Sequence, residues 1–155
     1  MRLTEMEIGQ LISEPKRLPD DYRSKVRLRP KRGHSEQQLD VVGDGGSRFR
    51  LLLRQSLLNP LDFSVILAYQ PPGTFDIFRL RRYNGLSHQH TNTIEKQTFY
   101  DFHIHEATQR YQELGESEDT YASPTDRYAD LQQAIACMLT DCGFILPATL
   151  QPTLF

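Results

Sequence analysis

Apolar residues change their spacing several times along this chain, and each change marks an element. Over residues 4–13, Met6, Ile8, Leu11 and Ile12 recur at roughly helical spacing. They follow a Thr4-x-x-Glu7 capping pattern, in which two side chains satisfy the first free backbone N–H groups. A short amphipathic helix is predicted, ended by Pro15. From Lys25 the period becomes two: Val26 and Leu28 alternate with Lys25, Arg27 and Arg29, predicting a strand that breaks over 30–34. Residues 38–42 read as the next strand, and Gly43-Asp44-Gly45-Gly46 as the turn after it. Beyond that turn Phe49, Leu51 and Leu53 alternate with Arg48, Arg50 and Arg54, a polar set that Leu52 interrupts, which makes one face core and the other basic.

Residues 63–69 and 76–83 are two further strands, closed by Pro71-Pro72-Gly73 and by Asn84-Gly85, the latter a strong hairpin signal. Over 100–105, Phe102 and Ile104 alternate with Asp101, His103 and His105, predicting a strand followed by a helix. A single helix over 99–114 is the alternative, because Ala107, Tyr111 and Leu114 fit a 3.6-residue period. Ser123-Pro124-Thr125-Asp126 reads as an N-cap and first turn, opening a helix with the stripe Tyr128, Leu131, Ile135 and Leu139 that Gly143 ends. Together these elements predict an α+β fold: a meandering antiparallel sheet of about five to seven strands, packed by an N-terminal helix and C-terminal helices.

The length of 155 residues suits one domain over 1–155. A hydrophobic content of 38% with 25% charged residues belongs to the globular class, and no apolar run approaches the roughly 18 residues of a membrane span. No membrane partner is expected. The opening segment has no apolar leader, so a cytoplasmic location is the default expectation. Cys137 and Cys142 have neither redox nor zinc spacing and read as structural thiols.

Charge adds a division the apolar pattern does not show. The net charge is −2, yet residues 23–82 hold 12 Lys and Arg against 5 Asp and Glu, and residues 95–141 hold 3 against 10. One basic and one acidic surface follow, unless the two segments pair within the fold.

Four of the five histidines lie in two His-x-His pairs, His88/His90 and His103/His105. If Asn84-Gly85 forms a two-residue hairpin loop, Tyr83 pairs with Leu86, Arg81 faces His88 and Arg79 faces His90. Phe78, Leu80 and Arg82 then occupy the opposite face, with Phe78 and Leu80 as its core contacts. The strand at 100–105 adds His103 and His105 to the arginine face, which Lys25, Arg27, Arg29, Arg48, Arg50 and Arg54 extend.

Three chemistries fit these residues. Phosphodiester cleavage without metal or other cofactor needs a base, an acid and cationic donors. His88, His90, His103, His105 and Arg81 are the catalytic candidates, and Arg27, Arg29, Arg50, Arg54, Arg79 and Tyr83 the nucleic-acid-binding ones, with Tyr83 as a stacking plane. RNA or another phosphate-bearing ligand is the expected partner. A non-catalytic module gripping nucleic acid or an acidic protein accounts for the same charge. A metal centre is third: His88-x-His90 followed by Glu95 matches the first part of a cupin motif, but its other motif is missing. Two arginines facing the histidines would also repel a dication, so no metal is expected. Lys31-Arg32-Gly33-His34 is a basic turn able to touch phosphate, though such turns are often simply solvated.

Residues 81–92, Arg-Arg-Tyr-Asn-Gly-Leu-Ser-His-Gln-His-Thr-Asn, resemble the Arg-Tyr-Asp-Asn…His-x-His segment of TumE-type toxins. That resemblance implies a growth-inhibiting protein acting on RNA and neutralised by an antitoxin-like protein partner. Residues 61–67 and Phe102-His103-Ile104-His105 resemble a second, uncharacterised bacterial family, which implies no particular activity.

Overall fold

The computed structural model describes residues 1–148 and has the α+β architecture. In chain order the elements begin with α1 (Glu5–Ser13), β1 (Lys16–Arg17), α2 (Tyr22–Lys25), β2 (Arg29–Pro30), β3 (His34–Val42), β4 (Arg48–Ser56) and β5 (Phe63–Gln70). They continue with β6 (Phe78–Asn84), β7 (His90–Asn92), β8 (Gln97–Phe99), β9 (His103–Glu106), α3 (Gln109–Glu113), β10 (Ala122–Pro124), α4 (Leu131–Asp141) and β11 (Phe144–Ile145). A seven-stranded antiparallel sheet runs in the order β10-β9-β6-β5-β4-β3-β2, and β1-β11 and β7-β8 form separate two-stranded ribbons.

Alternation in β3, β4 and β5 divides the sheet cleanly. Leu39, Val41, Phe49, Leu51, Leu53, Phe63, Val65 and Leu67 are buried on one face, under α4 and Ile8 of α1. Thr4 caps α1 as expected: its Oγ1 accepts from the Glu7 N–H at 3.1 Å, and Glu7 Oε1 accepts from the Thr4 N–H at 3.0 Å. Of the strand expected over 100–105, residues 103–105 lie in β9, and the helical part of that region is confined to α3, so the single long helix does not form. Gly143, at φ 75°, follows α4 in the left-handed conformation that stops a helix.

Three expected elements differ. Residues 25–29 are not a strand: Tyr22–Lys25 is helical, and only Arg29–Pro30 pairs with the sheet. Val26 and Leu28 pack against the crevice formed with Leu131 and Ile135 of α4, so their alternation serves a helix contact. Ser123-Pro124 does not open a helix; it lies in β10 against β9, at the sheet edge, where the missing proline N–H costs nothing. The real N-cap is Asp130, whose Oδ1 accepts from the Gln133 N–H at 2.8 Å.

The largest correction concerns Asn84-Gly85, which is not a hairpin turn. The Gly85 N–H donates to the Phe63 carbonyl at 3.0 Å and the Leu86 N–H to the Leu61 carbonyl at 2.7 Å, so the chain runs on beside β5. The other edge of β6 is taken by β9, in the register Arg82↔His105 and Asn84↔His103. Ile104 explains the choice: its side chain is buried on the core face, and residues 87–92 offer no apolar residue to do the same. Gly85 is required for close approach. A Cβ there would collide with the Leu61 carbonyl and come within 2.9 Å of the Phe63 ring.

Candidate functional site

The face of the sheet opposite the core carries rows of side chains at right angles to the strands. One row reads Arg29, Glu36, Arg54, Ser64, Asn84 and His103 from β2 to β9; the next reads Gln38, Leu52, Ile66, Arg82 and His105. These rows floor an open trough of about 950 Å³, which Lys31 and His88 also line. A smaller cleft of about 280 Å³ adjoins it, bounded by Arg79, Arg82, His88, His90, His105 and Asp119.

A β-bulge decides which arginines reach this face. Leu67 pairs with Arg81 but Ala68 pairs with Arg79, so Leu80 is an extra residue and the alternation of β6 reverses there. Arg79 and Arg82 therefore face the trough side, whereas Arg81 joins Tyr83 on the helix-covered face, with its Nη1 4.0 Å from Asp141. Both the pairing of Arg81 with His88 and the placing of Arg82 on the core side are corrected. Tyr83 is fully buried and its hydroxyl donates to Asp141 Oδ2 at 2.6 Å, so it offers no stacking plane. Arg27 lines the crevice beside α4, away from the trough.

Among the remaining basic residues, Arg29 and Arg54 lie in the trough with Lys31. Arg50 shares the face but donates to Asp40 at 2.7 Å. Arg79 lies 3.8 Å from Glu118 and 3.5 Å from Asp119, and Arg82 lies 3.3 Å from Asp119. Arg82 Nε and Asp119 Oδ2 are not aligned for a hydrogen bond despite that distance, and among the described residues neither buried atom has a hydrogen-bond partner.

Three of the four paired histidines converge. His90, His103 and His105 each bring a ring nitrogen within 4.8 Å of the other two. β9 presents His103 and His105 side by side, and the β7-β8 ribbon lays His90 over them, with Phe99 packed against His90 and His103. His88 stays exposed at the mouth, its Nδ1 2.8 Å from Ser87 Oγ. His103 is 1% and His105 3% exposed. Burial, and after it the charge of Arg82, pushes His105 down to about 2. Burial likewise lowers His103, with His90, His88 and Arg82 adding to the effect against its bond to the Asp101 carbonyl. Both rings are neutral at ordinary pH. Asp119 is raised by burial, although Arg82 and Arg79 pull the other way.

Sequence reasoning missed Asn84, Asn92 and Asp119. Asn92 is fully buried: its Nδ2 donates to the Ala122 carbonyl at 2.7 Å, while its Oδ1 accepts from the Ala122 N–H at 2.9 Å and from His90 Nε2 at 2.8 Å. Nothing in the local sequence marks it, because its partner is 30 residues away. Asp119 belongs to an acidic run that reads as solvated surface, yet it is 1% exposed.

No family model, curated protein or solved structure matches this chain.

Proposed function

We propose that the protein acts on RNA held across the open face of the seven-stranded sheet. The observation behind this reading is the set Arg29, Lys31 and Arg54, which line one trough and have no carboxylate within ion-pair distance among the described residues. Arg82 and His88 continue the trough toward the histidine cluster. Strands lie about 4.8 Å apart, so the five steps from β2 to β9 cover about 24 Å, the reach of several nucleotides of a single strand. A small anion would need only one of these cations; a phosphate backbone repeats its charge and engages them in series. Half-buried Leu52 and Ile66 give sugars and bases an apolar floor between the arginines. The likeness of residues 81–92 to TumE-type toxins favours RNA over other polyanions.

Binding without cleavage is the second reading, and the neutral state of His105 favours it. A ring that protonates only at about 2 does not serve as a general acid near neutral pH. Anisotropy of a labelled single-stranded RNA separates the possibilities. Arg29→Gln and Arg54→Gln should each weaken binding by about fivefold, the worth of one phosphate contact. Unchanged affinity in both variants sinks the RNA reading. The same RNA, resolved on a gel, reports cleavage; loss of cleavage with affinity retained in His88→Ala would assign a catalytic role to the exposed histidine.

A further inference from the structure

The hydrogen bonds around His90, His103 and His105 engage one ring nitrogen of each, Nε2 in His90 and Nδ1 in His103 and His105, and leave the other nitrogen free of those bonds. Asn92 cannot be flipped, because one end of its amide donates to Ala122 and the other accepts from it. Its Oδ1 is therefore an acceptor, so His90 Nε2 carries a proton, which leaves Nδ1 as the nitrogen that holds the lone pair in the neutral ring. His103 Nδ1 lies 2.7 Å from the Asp101 carbonyl and His105 Nδ1 lies 2.8 Å from the Asp119 carbonyl. A carbonyl only accepts, so both rings hold their proton on Nδ1 and a lone pair on Nε2. Within one largely buried cluster, three imidazoles are thus left with three lone pairs. Among the described residues His103 Nε2 has no hydrogen-bond partner. Such a site repels phosphate oxygens, which are themselves acceptors, and suits a cation.

We propose that His90, His103 and His105 hold one divalent transition-metal ion of the zinc or cobalt class. Imidazole suits these metals, and three protein ligands are the number that leaves a coordination position open. Metal–nitrogen bonds of about 2.0–2.1 Å imply ligand nitrogens about 3.3 Å apart in a tetrahedral site. One ring nitrogen of each side chain already lies within 4.8 Å of the other two, so the separations need to close by about 1.5 Å at most. Each ring already donates its other N–H to a carbonyl or an amide oxygen, the outer-shell arrangement that orients metal-binding histidines. Repulsion from the nearby arginines is offset, since Arg79 and Arg82 are matched by Glu118 and Asp119 and Arg81 lies on the other face. The inference goes beyond the RNA reading and does not depend on it.

The full chain, stripped with chelator, is titrated with Co²⁺ while its visible absorption is recorded, and with Zn²⁺ in a calorimeter. One equivalent should bind, with the intense absorption of a four-coordinate cobalt site. His90→Ala and His103→Ala should each weaken Zn²⁺ binding by about tenfold or more, and His34→Ala should leave it unchanged. If His103→Ala fails to fold, the half-buried His90 on its ribbon decides alone. Absence of stoichiometric uptake, or full affinity in His90→Ala, overturns the proposal. Cobalt absorption is read without RNA, so a negative result here leaves the trough experiment standing, and the reverse.

Discussion

Tyr83 sits on the covered face of β6, and its hydroxyl donates to a carboxylate that also accepts two bonds from Arg127, at 2.8 and 2.7 Å. Burial raises the Asp141 carboxyl, but the bonds from Arg127 and Tyr83 outweigh burial and hold it below 3.8. Tyr83→Phe should therefore cost about 1–2 kcal/mol of stability at neutral pH, measured by urea denaturation. RNA affinity should be untouched, because the ring lies across the sheet from the trough. A carboxyl with a depressed folded pKa contributes stability above its unfolded pKa, about 3.9, and loses that contribution as pH falls through the lower folded value. The cost of Tyr83→Phe should accordingly shrink in acid below that window. An equal cost at neutral pH and in acid would show that the bond does not depend on the Asp141 charge.

At the scale of elements, Lys16 links two helix ends. It is fully buried at the start of β1, and its Nζ donates to the carbonyls of Leu11, Ile12 and Glu14 at 2.8, 2.9 and 2.8 Å, and of Cys142 at 2.7 Å. These are the free carbonyl ends of α1 and α4, where a cation is favoured by unsatisfied acceptors and by the helix dipoles. Phe49 lies beneath the ammonium, 4.4 Å from ring centroid to Nζ. Burial draws its pKa down to about 8, so the charge is held at a cost that the four acceptors offset. Lys16→Met strands those carbonyls and should destabilise the fold by about 3 kcal/mol. Arg17→Ala, next to it but in an exposed pair with Asp44, should cost under about 1 kcal/mol. Similar losses in the two urea titrations would refute the linking role. Nothing local in the sequence announces this contact, since Cys142 is 126 residues away. What could be read were the elements whose main apolar residues meet one surface: α1 with its capping box, and β4 and β5, whose alternation places Phe49, Leu51, Leu53, Phe63, Val65 and Leu67 in the core. Misreadings fell where alternation was interrupted or shared. The extra Leu80 sends Arg81 and Arg82 to the faces opposite those that counting by twos assigns, and Gly85 serves close approach where the sequence predicts a hairpin turn.

At the scale of the whole molecule, the basic and acidic halves of the chain pair in part, through the three arginines of β6. Arg79 and Arg82 from β6 meet Glu118 and Asp119 from the segment before β10, and Arg81 approaches Asp141 at the end of α4. Segregation along the sequence thus overstates the basic surface. What survives it is the set contributed by β2, the turn after it and β4, far from the acidic segment in the sheet order. A cation already matched by a carboxylate neutralises little phosphate charge and so releases few of the RNA's condensed counterions, whereas a free one releases them from each phosphate it neutralises. Removing Arg29 and Arg54 together should therefore flatten the plot of log affinity against log salt by about 1.4, at about 0.7 per phosphate on a single strand. Arg79→Gln should change that slope far less, although it removes the same formal charge. If all three arginines contribute equally to the slope, long-range charge is guiding the polymer and the trough is not its seat.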